Sequence, residues 1–422
     1  MKIMIVVGAR PNFMKAAPLI FAIRAHNDQV GSSRQLRSIL VHTGQHYDEA
    51  MSGSFFSDLA LPRPDIQLGV GSGSHAVQTA EIMRRFEEVV LREQPDVVVV
   101  VGDVNSTVAC ALVTAKISLD VNGKRPLIAH VESGLRSFDT GMPEEINRVM
   151  TDHLSDFLFV TEESGIENLF HEGIAPEKIH FVGNTMIDSL LASIKRAEQS
   201  PILDRFGVRK SNGSAGVINP YALLTLHRPS NVDNRETFES ILRGIEELSQ
   251  SRPILFSAHP RTKKRIAEFG LEHFFRFDDG SDSADTARPG IHLLDPLGYL
   301  DFLCLMKHAS IVVTDSGGIQ EETTCLGVPC VTVRENTERP VTVTNGTNVI
   351  AGTDSKNIRN AVREQMTAAR NSRTPEKWDG KAAERILHVL ITKLETKTEP
   401  GPRYDTENGD RLPEHPPSVP IL

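Results

Sequence analysis

The segment from residue 130 to residue 148 is the densest cluster of side chains that could carry chemistry. It supplies Glu132 after an apolar run, and Glu144 and Arg148 in a helical stretch. Carboxylates that converge in a cleft are suited to general acid–base catalysis, because their surroundings decide which one holds a proton. An ordinary helix-surface ion pair between Glu144 and Arg148, four residues apart, is the structural alternative. The additional carboxylate of Glu132 favours an acid–base site.

A further carboxylate, Asp103, follows the apolar run of residues 96–101. It could act as a base or orient a hydroxyl group. Asp directly before a helix also serves as an N-cap, and the local sequence alone favours that interpretation. Together with Glu132 and Glu144, however, Asp103 becomes a third acid–base candidate.

Two clusters place cations at the ends of apolar runs, as the binding of an anion requires. Arg10 and Lys15 follow the first run, where Gly8 begins a turn into a helix whose free N–H groups would attract an anion. The spacing is not G-x-G-x-x-G, so a dinucleotide site is not indicated. His227 and Arg228 end another run. A lone histidine is more often structural, but the adjacent arginine favours proton transfer or diphosphate binding.

The turn at residues 314–318 (Thr-Asp-Ser-Gly-Gly) leads from an apolar run into a helix. Glycine lets a phosphate approach the backbone, and a helix N-terminus stabilises negative charge. One turn into the helix, a glutamate is placed to accept hydrogen bonds from two ribose hydroxyls, and a later arginine could add positive charge. The turn therefore predicts a nucleotide site, whose candidate residues are Ser316, Gly317, Gly318, Glu322 and Arg339.

Short apolar runs and helical patterns alternate along the chain, which is typical of parallel sheets covered by helices on both faces. The predicted strands cover residues 2–7, 38–42, 96–101, 127–131 and 157–160 in the first half, and 221–226, 254–257, 291–294, 311–314 and 330–333 in the second. We therefore predict an α/β protein with two Rossmann-like, doubly wound domains that face a cleft. Ligands of such sheets bind beyond the carboxyl ends of the strands, which is where the polar clusters fall.

The length of 422 residues also predicts more than one domain. We assign residues 1–195 to an N-terminal domain with the acid–base groups and residues 196–380 to a C-terminal domain with the nucleotide site. Residues 381–396 predict a last helix. Residues 397–422 are rich in proline and polar side chains, and we predict them to be a disordered tail.

Charge and cysteine content exclude several classes of protein. Lys and Arg number 46 against 55 Asp and Glu, a formal net charge of −9 that does not suit a nucleic-acid binder. The four cysteines form no Cys-x-x-Cys pair, so we expect reduced thiols and no zinc site. No apolar run reaches the length of a membrane span, and the first residues predict a strand rather than a signal peptide. We expect a cytoplasmic protein without a membrane partner.

From residue 1 to about residue 395 the sequence resembles the non-hydrolysing UDP-N-acetylglucosamine 2-epimerases. The resemblance rests on motifs in one order: residues 8–15, 43–46, 102–103, 130–136, 143–148, 183–185, 227–228, 314–322 and 338–340. It implies a glycosyltransferase-B-like fold with the site between the two domains. It also implies a homodimer and a last helix that crosses back to the first domain.

The resemblance further implies reversible C2 epimerisation of UDP-N-acetylglucosamine to UDP-N-acetylmannosamine. In this family UDP is eliminated to give 2-acetamidoglucal and is added back after protonation on the other face, without a nicotinamide or a metal. The implied catalytic residues are Asp103, Glu132, Glu144 and His227. The residues implied to bind the UDP-sugar, with Phe302 against the uracil, are Arg10, Lys15, Arg148, Arg228, Phe302, Ser316, Gly317, Gly318, Glu322 and Arg339.

Two segments, residues 47–48 and 229–230, depart from well-known bacterial relatives, in which they border an allosteric substrate site. We therefore expect that allosteric activation does not persist in the same form. Residues 45–48 and 69–79 also occur in relatives that act on UDP-2,3-diacetamido-glucuronic acid, which stays a second candidate substrate. A hydrolysing epimerase that releases free sugar is a further alternative. The cluster of Asp103, Glu132 and Glu144 argues against a glycosyltransferase of the same fold, and a catalytically silent sensor of nucleotide sugars would be expected to lack these carboxylates.

Overall fold

Two parallel sheets of seven strands each organise the protein. The structure, a computed structural model, describes residues 1–44, 61–121, 123–210, 216–276, 285–367 and 373–398. Within these residues the chain forms the two parallel sheets and a two-stranded antiparallel ribbon. The predicted pair of doubly wound α/β domains is thereby confirmed.

The first sheet is built from the N-terminal part of the chain. Its strands are Lys2–Val7 (β1), Arg37–His42 (β2), Ile66–Gln67 (β3), Val97–Val101 (β4), Leu127–Ser133 (β5), Phe157–Val160 (β6) and Ile179–Phe181 (β7). The helices around it are Arg10–Gln29 (α1), His75–Glu93 (α2), Asn105–Lys116 (α3), Pro143–Leu154 (α4), Glu163–His171 (α5) and Thr185–Ala197 (α6). The short helix Ile202–Arg205 (α7) follows and packs against the helix Tyr299–His308 of the second domain. The strand order is β3-β2-β1-β4-β5-β6-β7, so it reverses between β1 and β4. All five valines of β4 are buried, as expected for a strand covered on both faces.

The second sheet follows a ribbon formed by Arg209–Lys210 (β8) and Val217–Ile218 (β9). Its strands are Ala222–Thr225 (β10), Pro253–Ser257 (β11), Phe275–Arg276 (β12), Gly290–Leu294 (β13), Ile311–Thr314 (β14), Cys330–Thr332 (β15) and Asn348–Ile350 (β16). Its helices are Pro229–Val232 (α8), Arg235–Ser251 (α9), Pro260–Phe269 (α10), Tyr299–His308 (α11), Gly317–Leu326 (α12), Val341–Thr344 (α13) and Ser355–Thr367 (α14). The order β12-β13-β11-β10-β14-β15-β16 reverses between β10 and β14. In the described chain no helix combines the length and the apolar character needed to cross a membrane.

The outer strands of both sheets were not predicted from the sequence. They are β3, β7, β12 and β16, which have two or three residues each and include partly exposed positions. Such short strands give almost no periodic pattern, because two residues cannot establish an alternation. The central strands, which carry the polar clusters, agree with the prediction to within two residues at each end.

The last helix, Ala382–Thr398 (α15), packs against α1 and α6. Its first backbone N–H groups, from Ala382 and Ala383, donate to the carboxylate of Asp188 on α6 at 3.1 and 2.8 Å. The predicted boundary between residues 195 and 196 falls inside α6. Residues 399–422 lie outside the described part of the chain, so the tail stays a prediction.

Trp378 anchors the segment that precedes α15. Its side chain is fully buried, and its indole N–H donates to the Thr161 carbonyl at 3.0 Å. The hydrogen bond joins this late segment to the end of β6, and it satisfies a polar group that burial would otherwise leave unpaired.

We predict that Trp378→Ala lowers the free energy of unfolding by about 3–5 kcal/mol, because it leaves a large cavity. Urea unfolding followed by circular dichroism measures this. Trp378→Phe, which keeps most of the apolar contact and loses the hydrogen bond, serves as the matched control and should cost about 1 kcal/mol for that bond. Equal stability of the alanine variant and the native protein would show that Trp378 does not anchor this segment.

Candidate active site

The carboxyl ends of β1, β4 and β5 meet where the strand order of the first sheet reverses. Asn12 in α1 fixes the turn after β1, because its side-chain oxygen accepts from the N–H groups of Gly8 and Ala9 at 3.0 and 2.9 Å. Its side-chain nitrogen donates to the Val101 carbonyl at 2.9 Å, which ties the turn to the end of β4. Lys15, one turn further along α1, is buried in this corner.

Glu132 projects from a β-bulge. The pairing of β5 with β6 stops at Val131 and resumes at Ser133, and Glu132 has a φ of 70°. Positive φ is rare in a residue with a side chain and is kept only where the surroundings impose it, and a bulge commonly redirects a side chain. Here the carboxylate contacts the Lys15 ammonium and also accepts from the Arg339 guanidinium at 2.7 Å. Glu132 therefore joins one cation from each domain.

Asp103 follows β4 and pairs with Arg148 of α4, whose guanidinium lies 2.6 Å from the carboxylate. Burial alone would raise the pKa of Asp103, but the charges of Arg148 and Lys15 outweigh it and lower the pKa below the ordinary value of 3.8. Asp103 is consequently ionised at neutral pH. Its side chain does not cap α3, because the N-cap residue is Val104.

The structure separates two adjacent carboxylates at the start of α4. Glu145 is buried, pairs with Arg148, and accepts from the backbone N–H groups of Ser137 and Phe138 at 3.0 and 2.9 Å. Glu144 is exposed and lines a cavity of about 280 Å³ that Asp103 also lines. The ion pair of Arg148 on this helix is thus made with Glu145, three residues earlier.

Neutral polar side chains form the rest of that cavity. Asn147 donates to the Asp103 carbonyl at 2.9 Å, and Asn105 donates to Gln78 at 2.8 Å. His75 lies 3.2 Å from the Asn105 oxygen and lines the cavity as well. The two carboxylates therefore face a small chamber of amide and imidazole groups, which suits a sugar with hydroxyl and amide substituents.

In the second domain, buried Asp315 organises the ends of β10 and β14. It accepts from the backbone N–H groups of His227 and Arg228 at 3.0 and 2.9 Å, and its carboxylate lies 2.8 Å from Nδ1 of His227. Burial opposes ionisation, yet the His227 charge and these hydrogen bonds lower the pKa of Asp315. An ionised partner places a proton on Nδ1, and the imidazole itself remains more than half exposed towards solvent.

The turn after β14 begins α12, and its first glycine is sterically required. A Cβ on Gly317 would lie 2.4 Å from the guanidinium of Arg339, whereas one on Gly318 would make an ordinary contact of 3.4 Å with Met186 of α6. Ser316 is the N-cap, and its N–H donates to Thr314 at 3.0 Å. The free N–H groups of α12 therefore lie in the cleft close to Arg339, as an anion site needs.

Arg339 is buried among three carboxylates. Its guanidinium lies 2.7 Å from Glu132, 2.8 Å from Glu321 and 2.5 Å from Glu338. Glu338 in turn pairs with Arg334 at 2.8 Å. Burial opposes the charge, but these carboxylates raise the pKa of Arg339, so it stays charged. A permanent cation thus lies where the two domains meet.

Glu322 and Phe302 lie on the side of the cleft formed by α11 and α12. Glu322 is buried and accepts from the Tyr299 hydroxyl at 3.1 Å. Burial raises the pKa of the Glu322 carboxyl from 4.5 to about 7. Phe302 is half-buried on the same helix as Tyr299.

Most predicted site residues thus come from strand ends or helix starts of the two domains. One ion-pair network contains Lys15, Glu132 and Arg339 and reaches Arg228 through Glu338. Asp103 pairs separately with Arg148, and His227 with Asp315. The Arg10 side chain and residues 45–48 lie outside the described part of the chain. Pro229 and Ser230 begin the short helix α8.

Sequence reasoning missed Glu145, Asp315 and Glu321. Glu145 lies three residues before Arg148, a helical spacing that could have indicated it. Asp315 stands inside the predicted turn, and only its pairing with a neighbouring strand reveals its role. Glu321 is fully buried and accepts from Asn184 at 2.9 Å, a contact between distant segments that no local pattern indicates.

Two facing α/β domains with a charged cleft are the architecture of glycosyltransferase-B-like proteins. The UDP-N-acetylglucosamine 2-epimerase family model matches residues 28–391. A UDP-N-acetylglucosamine 2-epimerase of Methanocaldococcus jannaschii is 44% identical over 392 residues, which cover 92% of this chain and 99% of that protein. This chain belongs to the UDP-N-acetylglucosamine 2-epimerase family.

A solved structure and one further relative are also similar to this chain. The crystal structure of the Methanocaldococcus jannaschii UDP-GlcNAc 2-epimerase in complex with UDP-GlcNAc and UDP has a TM-score of 0.78 at 41% identity, and the match covers 93% of this chain and 100% of that one. A UDP-2,3-diacetamido-2,3-dideoxy-D-glucuronate 2-epimerase of Pseudomonas aeruginosa is 37% identical over 393 residues, with 92% and 99% covered. The predicted family resemblance is confirmed.

The raised pKa of Glu322 predicts a pH-dependent stability in the absence of nucleotide. Between pH 4.5 and about 7 the folded protein holds a proton that the unfolded chain has lost, so stability falls as the pH rises through this window. Glu322→Gln is neutral throughout. Between pH 5 and pH 8 the free energy of unfolding of Glu322→Gln should rise by on the order of 2–3 kcal/mol relative to that of the native protein.

Urea unfolding of both proteins at the two pH values measures this difference. The matched control is Glu163→Gln, an exposed glutamate, which should follow the native protein at both pH values. A constant difference between Glu322→Gln and the native protein would show that Glu322 does not hold the proton.

Proposed function

We propose that this protein reversibly interconverts UDP-N-acetylglucosamine and UDP-N-acetylmannosamine, by elimination of UDP to 2-acetamidoglucal and its re-addition. The observation that carries the proposal is Glu132 lying between Lys15 and Arg339. This contact brings the acid–base carboxylates of the first domain into the same cleft as the α12 turn of the second. The relative from Methanocaldococcus jannaschii carries the name of this activity.

The second domain holds the nucleotide in this proposal. The N–H groups at Ser316, Gly317 and Gly318 receive the diphosphate, and Arg339 adds a fixed positive charge. Glu322 accepts hydrogen bonds from the ribose, and Phe302 lies against the uracil. Domain assignments follow from this division: residues 1–195 for the sugar and residues 196–380 for UDP.

The first domain carries out the proton transfers. Asp103, ionised because of Arg148, removes the proton from C2 of the sugar. The electrons of the C2–H bond form the C1=C2 double bond, and the C1–O bond breaks with its electron pair leaving on UDP. Lys15 and Arg339 stabilise the negative charge that develops on the leaving diphosphate.

The return step reverses the bonds on the other face. Glu144, exposed in the cavity that Asp103 also lines, takes up a proton from solvent and donates it to C2, and the UDP oxygen attacks C1. Asp103 releases the proton that it removed to solvent. His227, whose Nδ1 is held by Asp315, presents Nε2 to the diphosphate. UDP must stay bound between the two steps, because its release would leave 2-acetamidoglucal without the UDP that has to add back to C1.

The second candidate substrate is UDP-2,3-diacetamido-glucuronic acid, because a relative with that activity in its name is 37% identical along nearly its whole length. It differs by a carboxylate and a second acetamido group. The homodimer implied by the resemblance and the cytoplasmic location expected from the sequence composition stay predictions.

The test is an NMR assay in deuterated water with each of the two UDP-sugars. We expect UDP-N-acetylglucosamine to give a UDP-N-acetylmannosamine signal and to acquire deuterium at C2. If only UDP-2,3-diacetamido-glucuronic acid were converted, that sugar would be the substrate of the enzyme. Stable release of UDP and free sugar would indicate hydrolysis, and absence of turnover with both sugars would overturn the proposal.

We predict that Asp103→Asn lowers kcat by at least about 10³-fold and abolishes deuterium exchange, because the amide cannot accept the C2 proton. Isothermal titration should show UDP affinity within a few-fold of the native value, since the nucleotide is held by the other domain. The matched control is Asp139→Asn, in the loop before α4. Retained exchange in Asp103→Asn would remove Asp103 from the mechanism.

A further inference from the structure

His130 lies at the centre of the acid–base half of the site, although no step of the mechanism uses it. It is fully buried in β5, two residues before Glu132. Nδ1 lies 2.7 Å from a carboxylate oxygen of Asp152, and Nε2 lies 2.8 Å from the carbonyl oxygen of Gly102. Both ring nitrogens are therefore at hydrogen-bonding distance from oxygen atoms.

Both of these oxygens are acceptors. A backbone carbonyl has no proton to give, so Nε2 must donate to Gly102. Burial opposes the ionisation of Asp152, and besides the ring itself the Arg136 guanidinium lowers the pKa of this carboxyl, which keeps it an acceptor. Its second oxygen already accepts from the Gly134 N–H at 3.1 Å and pairs with Arg136 at 2.7 Å. Nδ1 must then donate as well, and a ring that donates from both nitrogens is an imidazolium cation.

The charges around the ring compensate one another. Asp152 comes from α4, Arg136 from the loop after β5, and Glu172 from the end of α5, where it makes a two-pronged contact with Arg136 at 2.7 and 2.8 Å. Two cations thus face two anions, and all of them except the partly exposed Glu172 are buried. Removal of one buried member of such a network leaves an uncompensated charge, so the set acts as a unit.

The ring contacts the three elements that carry the acid–base groups. Gly102 directly precedes Asp103 at the end of β4. Asp152 lies on α4, one turn after Arg148 and two turns after Glu144, so the three residues form one stripe of that helix. His130 itself shares β5 with Glu132. A displacement of the ring would change the spacing of these groups together.

We propose that His130 is a positioning residue of the epimerase, a buried imidazolium that sets the separation of Asp103 and Glu144 through Gly102 and Asp152. The kinetic consequence of this inference rests on the proposed function. The charge state of the His130 ring does not depend on that function. A misplacement of about 1 Å at a reacting group can cost on the order of 10²-fold in rate.

The kinetic test uses His130→Gln, which has a similar reach but no positive charge. We expect kcat to fall about 100-fold while the KM for the UDP-sugar and the Kd for UDP change less than threefold, because the nucleotide contacts lie in the other domain. If His130 only stabilised the fold, its substitution would lower the thermal midpoint and the fraction of active protein. The kcat of the remaining folded protein would then stay near the native value. The matched control is exposed His171→Gln, expected within twofold of the native kcat.

The charge state is tested on the native protein by NMR with ¹⁵N-labelled histidine at pH 7.5, without substrate. We expect the His130 ring to show two protonated nitrogens; its signals are those that shift in Asp152→Asn, which leaves the residue size unchanged. One unprotonated ring nitrogen would overturn the proposal, as would native kcat in His130→Gln. Absence of epimerase activity in the native protein would overturn the proposed function while the NMR result still decides the charge.

Discussion

The ion pairs of Glu132 with Lys15 and Arg339 are the contact on which the rest of the site depends. They are buried, and burial of a charge is costly unless an opposite charge lies beside it. The first domain contributes Glu132 and Lys15, and the second contributes Arg339 with its two further carboxylates. Because the Glu132–Arg339 contact crosses between the domains, it favours the arrangement in which the carboxylates of the first domain and the α12 turn of the second face one cleft.

The same charge balance gives the carboxylates of the cleft different protonation states. Asp103 has Arg148 beside it and loses its proton readily, whereas Glu322 has a tyrosine hydroxyl and apolar surroundings and keeps its proton up to about pH 7. Glu144 instead remains open to the cavity. Carboxyl groups of similar chemistry therefore differ in charge within one cleft according to their neighbours.

Much of this arrangement could be predicted from the sequence, because parallel sheets place their ligand sites at strand ends and the polar clusters fall there. What could not be predicted depends on pairing between distant segments. The bulge that turns Glu132 into the cleft requires its register against β6, and the choice between Glu144 and Glu145 depends on the face by which α4 packs. Short outer strands also gave no pattern.

The return of α15 to α1 and α6 has a mechanical consequence. The chain passes between the two domains twice, once after α6 and once in the segment that ends at Trp378, so two covalent connections join them. A single connection would let the domains swivel freely, but two leave mainly one rotation, about the line between the connections. The position of Arg339 against Glu132 is therefore constrained by two connections between the domains rather than by one.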